Sequence, residues 1–237
     1  STNKIRGHPM KSIAIIPARA GSKRLPRKNI LNFKGKPIIG WTIESAIRTG
    51  MFDKIIVSTE DIEISNIAKK FGADVSCREE KLATDTASVN QVCLDVLQKE
   101  KCMGRSYEVL CCLYATSPLR DYTDIVNTME LVISNKCKQA MAVTNFDLPA
   151  FQAMFYSADG SLTPMRPDLL QLNSNEVEEI VVDNGSTYVT RVKDFILSGS
   201  LVSDGMLGYQ MPKVRSIDID TKEDFILAEY YSDATYQ

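Results

Sequence analysis

The chain has 237 residues, 44% of them hydrophobic and 24% charged, with a formal net charge of −2. That length and composition suit a globular fold with a full core and exclude collagenous, disordered and membrane-embedded classes. The near-neutral balance excludes a protein that coats nucleic acid or an acidic membrane with its whole surface. The one histidine, His8, precedes Met10, where MKSIAIIP reads as a natural start. Residues 1–9 are therefore expected to be an expression remnant, with a single domain over 10–237. The chemistry is then expected to run on carboxylates, cations, hydroxyls and metal, without a histidine base or ligand. The six cysteines form no C-x-x-C pair, and Cys111 and Cys112 are adjacent in an apolar run. Reduced thiols in a soluble, cytoplasmic protein are expected. No 18-residue apolar span is present, so no membrane partner is expected.

In chain order, Ser12–Pro17 is apolar and rich in β-branched residues, as a buried strand should be. Ile39, Ile43, Ala46 and Ile47 recur at helical spacing, with Gly50 as the stop. Lys54–Thr59 is a second strand, and Ile64, Ile67, Ala68 and Phe71 form a second helical stripe ended by Gly72. Val89, Val92, Cys93, Val96 and Leu97 predict a third helix, followed by a strand in Glu108–Ala115. Asp121 can cap a helix carrying Ile125, Met129, Val132 and Ile133, before a strand over Ala140–Thr144. This alternation predicts a mostly parallel sheet with helices on both faces, binding ligands at the carboxyl ends of its strands. Residues of about 145–190 break the pattern, with prolines and weak periodicity, and read as an inserted arm. There Phe151, Phe155 and Tyr156 suit either a partner subunit or a subdomain core. The main fold resumes with strands at Ser186–Val192 and near Arg215–Asp220, then a helix from Thr221 with Asp224 completing a capping box.

The densest charge lies in Ile16–Ile30, where Arg19, Lys23, Arg24, Arg27 and Lys28 place five cations in ten residues. Ala20, Gly21 and Ser22 are small enough for backbone N–H groups to approach an anion. Five like charges in one strand-end loop suit a polyphosphate, with Arg giving forked contacts and Lys a point charge. Neither a Walker A nor a dinucleotide glycine pattern is present. Near the other end, Asp218 and Asp220 stand at i and i+2, which puts both carboxylates on one face of an extended segment. Two carboxylates with water and phosphate oxygens suit Mg²⁺.

IPARAGSKRLPRKN in this loop resembles the signature of the acylneuraminate cytidylyltransferases, the CMP-sialic acid and CMP-nonulosonic acid synthetases. The resemblance extends to REEKLATDTAS (78–88), YATSPLR (114–120), NGSTYV (184–189) and SIDIDTKEDF (216–225), in that order. It implies a Rossmann-like α/β fold of the nucleotide-diphospho-sugar transferase type plus a small dimerisation arm at 145–190, in a homodimer. It also implies that Arg19, Gly21, Ser22, Lys23, Lys28 and Asn29 surround CTP, while Arg78, Ala87 and Ser88 recognise cytosine. Lys28 and Arg19 would act in catalysis with Asp218 and Asp220, which would hold Mg²⁺. Tyr114, Thr116, Ser117 and Arg120 would face the acidic sugar. Tyr114 stands where sialic-acid enzymes carry glutamine and resembles the pseudaminic-acid branch, while Ser117 and Arg120 look like the sialic-acid branch. The family's R-R-Q segment is missing, which leaves the sugar carboxylate to Arg166, Arg191 or a partner-subunit cation. The implied reaction joins CTP to a nine-carbon 2-keto-3-deoxy acid sugar. Competing readings are an octulosonic-acid synthetase, a pyrophosphorylase using UTP or GTP, a catalytically silent nucleotide-binding module, and an RNA-binding protein.

Overall fold

Along strand β1 (Ser12–Pro17), Ala14 and Ile16 pack into one hydrophobic cluster while Ile13 and Ile15 pack into another. This period-two division runs through the computed structural model, which describes residues 10–82, 88–146, 149–173 and 176–234. After β1 come a short ribbon, β2 (Asn32–Phe33) and β3 (Lys36–Pro37), then α1 (Ile38–Thr49) and β4 (Lys54–Thr59). Next are α2 (Ile62–Lys70), β5 (Asp74–Cys77), α3 (Val89–Cys102), β6 (Val109–Leu113), α4 (Tyr122–Ile133) and β7 (Gln139–Asn145). A hairpin of β8 (Met154–Tyr156) and β9 (Leu162–Pro164) precedes β10 (Val181–Arg191), α5 (Val192–Ser198), β11 (Leu207–Gln210) and α6 (Lys222–Ala234).

Seven strands form one sheet in the order β11-β7-β10-β6-β1-β4-β5. Every pairing is parallel except the two made by β10, which runs antiparallel between β6 and β7. Helices α1, α2 and α4 cover one face through Ile39, Ile43, Ile64, Ala68, Ile125 and Met129. On the other face lie α3 and α5, through Cys93, Val96, Val192 and Phe195. Cys111 and Cys112 therefore enter opposite layers, and all six cysteines are unpaired. Gly50 ends α1 in the left-handed region at φ 64°, and Asp121 caps α4, both as the sequence predicts; Asp124 completes a capping box there. Thr221 and Asp224 exchange backbone-to-side-chain bonds at the start of α6. Among the described residues, no helix is long and apolar enough to cross a membrane.

Two expectations need correction, and one alternative left open divides. The irregular insertion ends before residue 181, because Val181–Arg191 is an eleven-residue strand inside the main sheet. The aromatics divide: Phe151 is buried, whereas Phe155 and Tyr156 are 59% and 78% exposed on the hairpin. No strand forms at Ser216–Asp220; the sheet edge there is β11, and the segment instead passes the end of β6, where the Ile219 N–H donates to the Thr116 carbonyl.

That segment is held by a third cluster. Ile219 is fully buried with Phe33, Ile38 and Ala228, and Leu25, Leu31, Ile217 and Phe225 pack around them. The Phe33 ring meets Phe225 edge-on at 5.7 Å. Ile217 and Ile219 thus anchor the alternating Ile-Asp-Ile-Asp run against the flanks of the basic loop. Ile219→Ala is expected to lower stability by about 2–5 kcal/mol in urea denaturation. An unchanged midpoint would mean that this cluster does not hold the segment.

Candidate active site

The carboxyl end of β1 leads directly into the basic loop, whose ends are tied by the Asn29 side-chain amide donating to the Arg19 carbonyl at 2.9 Å. Across the loop lies a cavity of about 300 Å³, lined by Arg19, Gly21, Ser22, Lys23, Arg24, Lys28, Asn29 and Asp220. Lys28 pairs with Asp220 Oδ1, and Arg24 donates to Oδ2 of the same carboxylate at 2.7 Å. Burial raises the Asp220 pKa, but the bonds from Lys28 and Arg24 outweigh it and hold the carboxyl below its usual value. The five cations do not act as one set. Arg27, in the left-handed region at φ 54°, turns towards α2 and donates to Glu63 at 2.6 Å and Asp61 at 3.3 Å. It fastens the loop.

Asp218 meets the end of β6. The Thr116 hydroxyl donates to its Oδ1, and the Ile219 N–H donates to the Thr116 carbonyl at 2.8 Å. Gly185 permits this approach. A Cβ there would lie 3.1 Å from Asp218 Oδ2, and its φ of 67° also disfavours a side chain. Burial pushes the Asp218 carboxyl up to about 6; Thr116 opposes the rise and the Asp220 charge adds to it. A crowded, partly desolvated pair of carboxylates beside a basic cavity has the hard-oxygen character that suits Mg²⁺. Among the described residues there is no group of three or more acidic, cysteine or histidine side chains arranged for a metal, so water and ligand oxygens must complete such a site.

The other expected site residues separate into three groups. Arg78 is 5% exposed, at the end of β5, and donates to the Ser58 carbonyl at 2.9 Å. Ser88 caps α3 and is exposed, while Ala87 lies outside the described residues. Of the four residues expected to face a sugar, three are internal. Thr116 supports Asp218, Ser117 is 1% exposed, and Arg120 is 2% exposed. The Arg120 guanidinium donates to the Ser186 and Tyr114 carbonyls and to Thr42. Its donors lock the loop to β10 and α1, so it does not present them to a sugar. Tyr114 borders an open cavity together with Tyr188 and Asp183, while Arg120 lines a separate cavity with Trp41, Arg48 and Arg215 that includes neither Asp218 nor Asp220. Asp183 had no counterpart in the expected site; its signal is its place before Asn184 and Gly185, where a turn-forming pair interrupts a strand. Arg166 pairs with Asp168 on the surface, and Arg191 contacts Met10 at the amino end of β1, opposite the site. A larger cavity of about 600 Å³, between Phe146, Ala150, Val182 and Ile217, is lined by neither aspartate nor the basic loop.

The Asp218 shift sets a pH signature. Between about pH 4 and 6 the folded protein keeps a proton there that the unfolded chain releases, so stability falls as pH rises through this window. Asp218→Asn is expected to remove that slope, which is at most about 1.4 kcal/mol per pH unit. In metal-free urea denaturation the stability gap between variant and parent should widen up to about pH 6 and then level off. Parallel curves from pH 4 to 7 would contradict this.

A family model described as cytidylyltransferase matches residues 13–172. The chain is 32% identical over 221 residues to the pseudaminic acid cytidylyltransferase of Campylobacter jejuni subsp. jejuni, spanning 93% of this chain and 95% of that protein. It is 34% identical over 227 residues to the CMP-N,N'-diacetyllegionaminic acid synthase of Legionella pneumophila subsp. pneumophila, spanning 93% and 95%. The solved structure of a CMP:2-keto-3-deoxy-manno-octonic acid synthetase complexed with CTP shares the fold, with a TM-score of 0.68 at 17% identity over 95% of this chain and 99% of that one. Together with the strand-end basic cavity, the family match and relatives at 32% and 34% identity place this chain in the cytidylyltransferase family.

Proposed function

We propose that this protein transfers a cytidylyl group from CTP to the anomeric hydroxyl of a nine-carbon 2-keto-3-deoxy acid sugar. The bond from the sugar oxygen to the α-phosphorus forms, the bond to the β-phosphate breaks, the hydroxyl proton leaves and pyrophosphate departs. One observation carries the reading: a cation-lined cavity at the end of β1 opens onto Asp220, with Asp218 beside it. Family membership and the names of the relatives support CTP and a nonulosonic acid as the substrates.

In this account Arg19, Lys23 and Lys28 bind the triphosphate with N–H groups around Gly21 and Ser22, while Asn29 keeps the loop in shape. Fixed cations stabilise the charge that accumulates on departing pyrophosphate. Lys28 and Arg24 exchange Asp220 for phosphate oxygens when nucleotide arrives. Asp218 and Asp220 hold Mg²⁺, which, when bound, offsets phosphate charge and makes the sugar hydroxyl easier to deprotonate. Arg78 and Ser88, with Ala87, border the base. The arm around the β8–β9 hairpin docks on a second copy, with Phe155, Tyr156 and Leu162 as its exposed apolar contacts. A reaction that consumes CTP fits a cytoplasmic protein.

The test supplies CTP and Mg²⁺ with N-acetylneuraminic, legionaminic, pseudaminic and 3-deoxy-manno-octulosonic acids and reads CMP-sugar and pyrophosphate. Turnover is expected with a nine-carbon acid, and Lys28→Met or Asp220→Ala should lower kcat at least about 100-fold. Activity with UTP and not CTP, or CTP binding with no product from any acid, contradicts the proposal.

A further inference from the structure

The apolar grip on Ile217 and Ile219 selects which residues turn inward, but hydrophobic contact has no direction and does not by itself stop the segment from sliding. A directional contact lies just before it. Arg215 ends a single 3₁₀ turn, Lys213–Arg215, and its guanidinium forks onto Asp124 in the first turn of α4. Its Nε donates to Asp124 Oδ2 at 2.9 Å and its Nη2 to Oδ1 at 2.8 Å. The Tyr209 hydroxyl donates to Oδ1 at 3.1 Å from β11, and the Asp121 N–H donates to Oδ2 at 2.9 Å. The Asp124 side chain is completely buried, while that of Arg215 is 31% exposed.

These bonds join the two segments that meet at the reaction centre. On one side the loop after β6 runs from Thr116 to Asp121, and Asp124 holds its end through the Asp121 N–H. On the other, Arg215 stands three residues before Asp218, a span of at most about 11 Å. The segments already touch where Thr116 donates to Asp218 and accepts the Ile219 N–H. The fork is therefore a second cross-link, and the two together close a ring. The 216–220 segment cannot shift by a residue at Thr116 without breaking the fork at Asp124. Between them, the Ser216 hydroxyl accepts the Asn184 side-chain amide at 3.1 Å and donates to the Pro212 carbonyl at 3.0 Å. A forked arginine–carboxylate pair is directional as well as charge-assisted. Buried ion pairs add little net stability over apolar pairs of the same volume, so the physical value of this one is alignment.

We propose that Arg215 and Asp124 are positioning residues for the transfer: their ion pair sets the register of the 216–220 segment against the loop after β6, and so places Asp218 and Asp220 at the basic cavity. Neither side chain lines that cavity, so both act through the two aspartates. The role rests on the cytidylyltransferase reading above, because alignment matters to catalysis only if those aspartates serve it. A misplacement of about 1 Å at a reaction centre can cost about 100-fold in rate.

The test pairs two readouts. Arg215→Met alone leaves the Asp124 carboxylate buried and unpaired, so the main variant combines it with Asp124→Leu, removing both charges while keeping apolar bulk. In metal-free buffer, amide hydrogen exchange at Ile219 should speed up at least about tenfold in this double variant, while Ile13 and Ile15 in β1 keep parent rates. In turnover with CTP, Mg²⁺ and an acid sugar that the parent accepts, kcat should fall at least about tenfold and KM for CTP should stay within about threefold. Arg215→Lys keeps the charge without the fork and should show both effects in smaller size, which preserves the test if the double variant does not fold. An unchanged kcat, or parent-like exchange at Ile219, overturns the proposal. So does equal acceleration at Ile219 and in β1, which marks general loosening. Failure of the parent to turn over any acid sugar with CTP overturns the underlying reading instead, while the exchange result still decides whether the pair sets the register.

Discussion

The site depends on one packing constraint: Ile217 and Ile219 are gripped by Phe33, Leu25, Leu31 and Phe225, and the intervening aspartates are thereby held over the basic loop. Alternate residues go to opposite sides: Ile217 and Ile219 enter the apolar cluster, while Asp218 and Asp220 bond Thr116 and Lys28. Its consequence is that residues nearly two hundred positions apart form an ion pair, Lys28 with Asp220. The apolar contacts fix where the charges sit, and the charges alone would not. Exposed ion pairs contribute little to stability, and Arg24 is 67% exposed in its pair with Asp220. Removing the isoleucine anchors therefore threatens the site more than removing a cation threatens the fold.

The same arrangement offsets part of the loop's charge from within the protein. Lys28 and Arg24 meet Asp220, and Arg27 meets Asp61 and Glu63, so three of the five cations have carboxylate partners. In the proposed function a triphosphate competes for two of these cations and a divalent cation takes over the carboxylates. Each exchange lowers the cost of the other, because each frees a charge that the second ligand needs. Arg27 stays outside this exchange and keeps the loop attached to α2. The glycine at 185 completes the layout by letting Asp218 lie close to β10, where the pairing register with β7 shifts after Asp183.

Much of this was legible in one dimension. Charge density, a strand-end position and small residues marked the basic loop, and period-two alternation marked Asp218 and Asp220 as a pair. Apolar periodicity located α1 to α4 and the strands β4 and β6, but not β5, whose Asp74–Cys77 run alternates only one valine and one cysteine with polar residues. Strand direction was not legible for β10, because antiparallel insertion between β6 and β7 depends on long-range pairing, not on its own residues. Burial was not legible for Ser117 and Arg120 either. A polar loop residue reads as ligand-facing until the backbone carbonyls of Ser186 and Tyr114 are seen to occupy its donors. Asp183 escaped because a register shift places it against Tyr188.

The central claim is that Lys28 and Asp220 form a releasable pair at the nucleotide site. Calorimetric CTP binding in metal-free buffer, measured for the parent, Asp220→Asn, Lys28→Met and the double variant, tests it most directly. The account predicts that Asp220→Asn tightens CTP binding at least threefold while Lys28 is present and far less once Lys28 is methionine. An equal effect of Asp220→Asn in both backgrounds would contradict it, since the carboxylate would then act on the nucleotide without restraining Lys28.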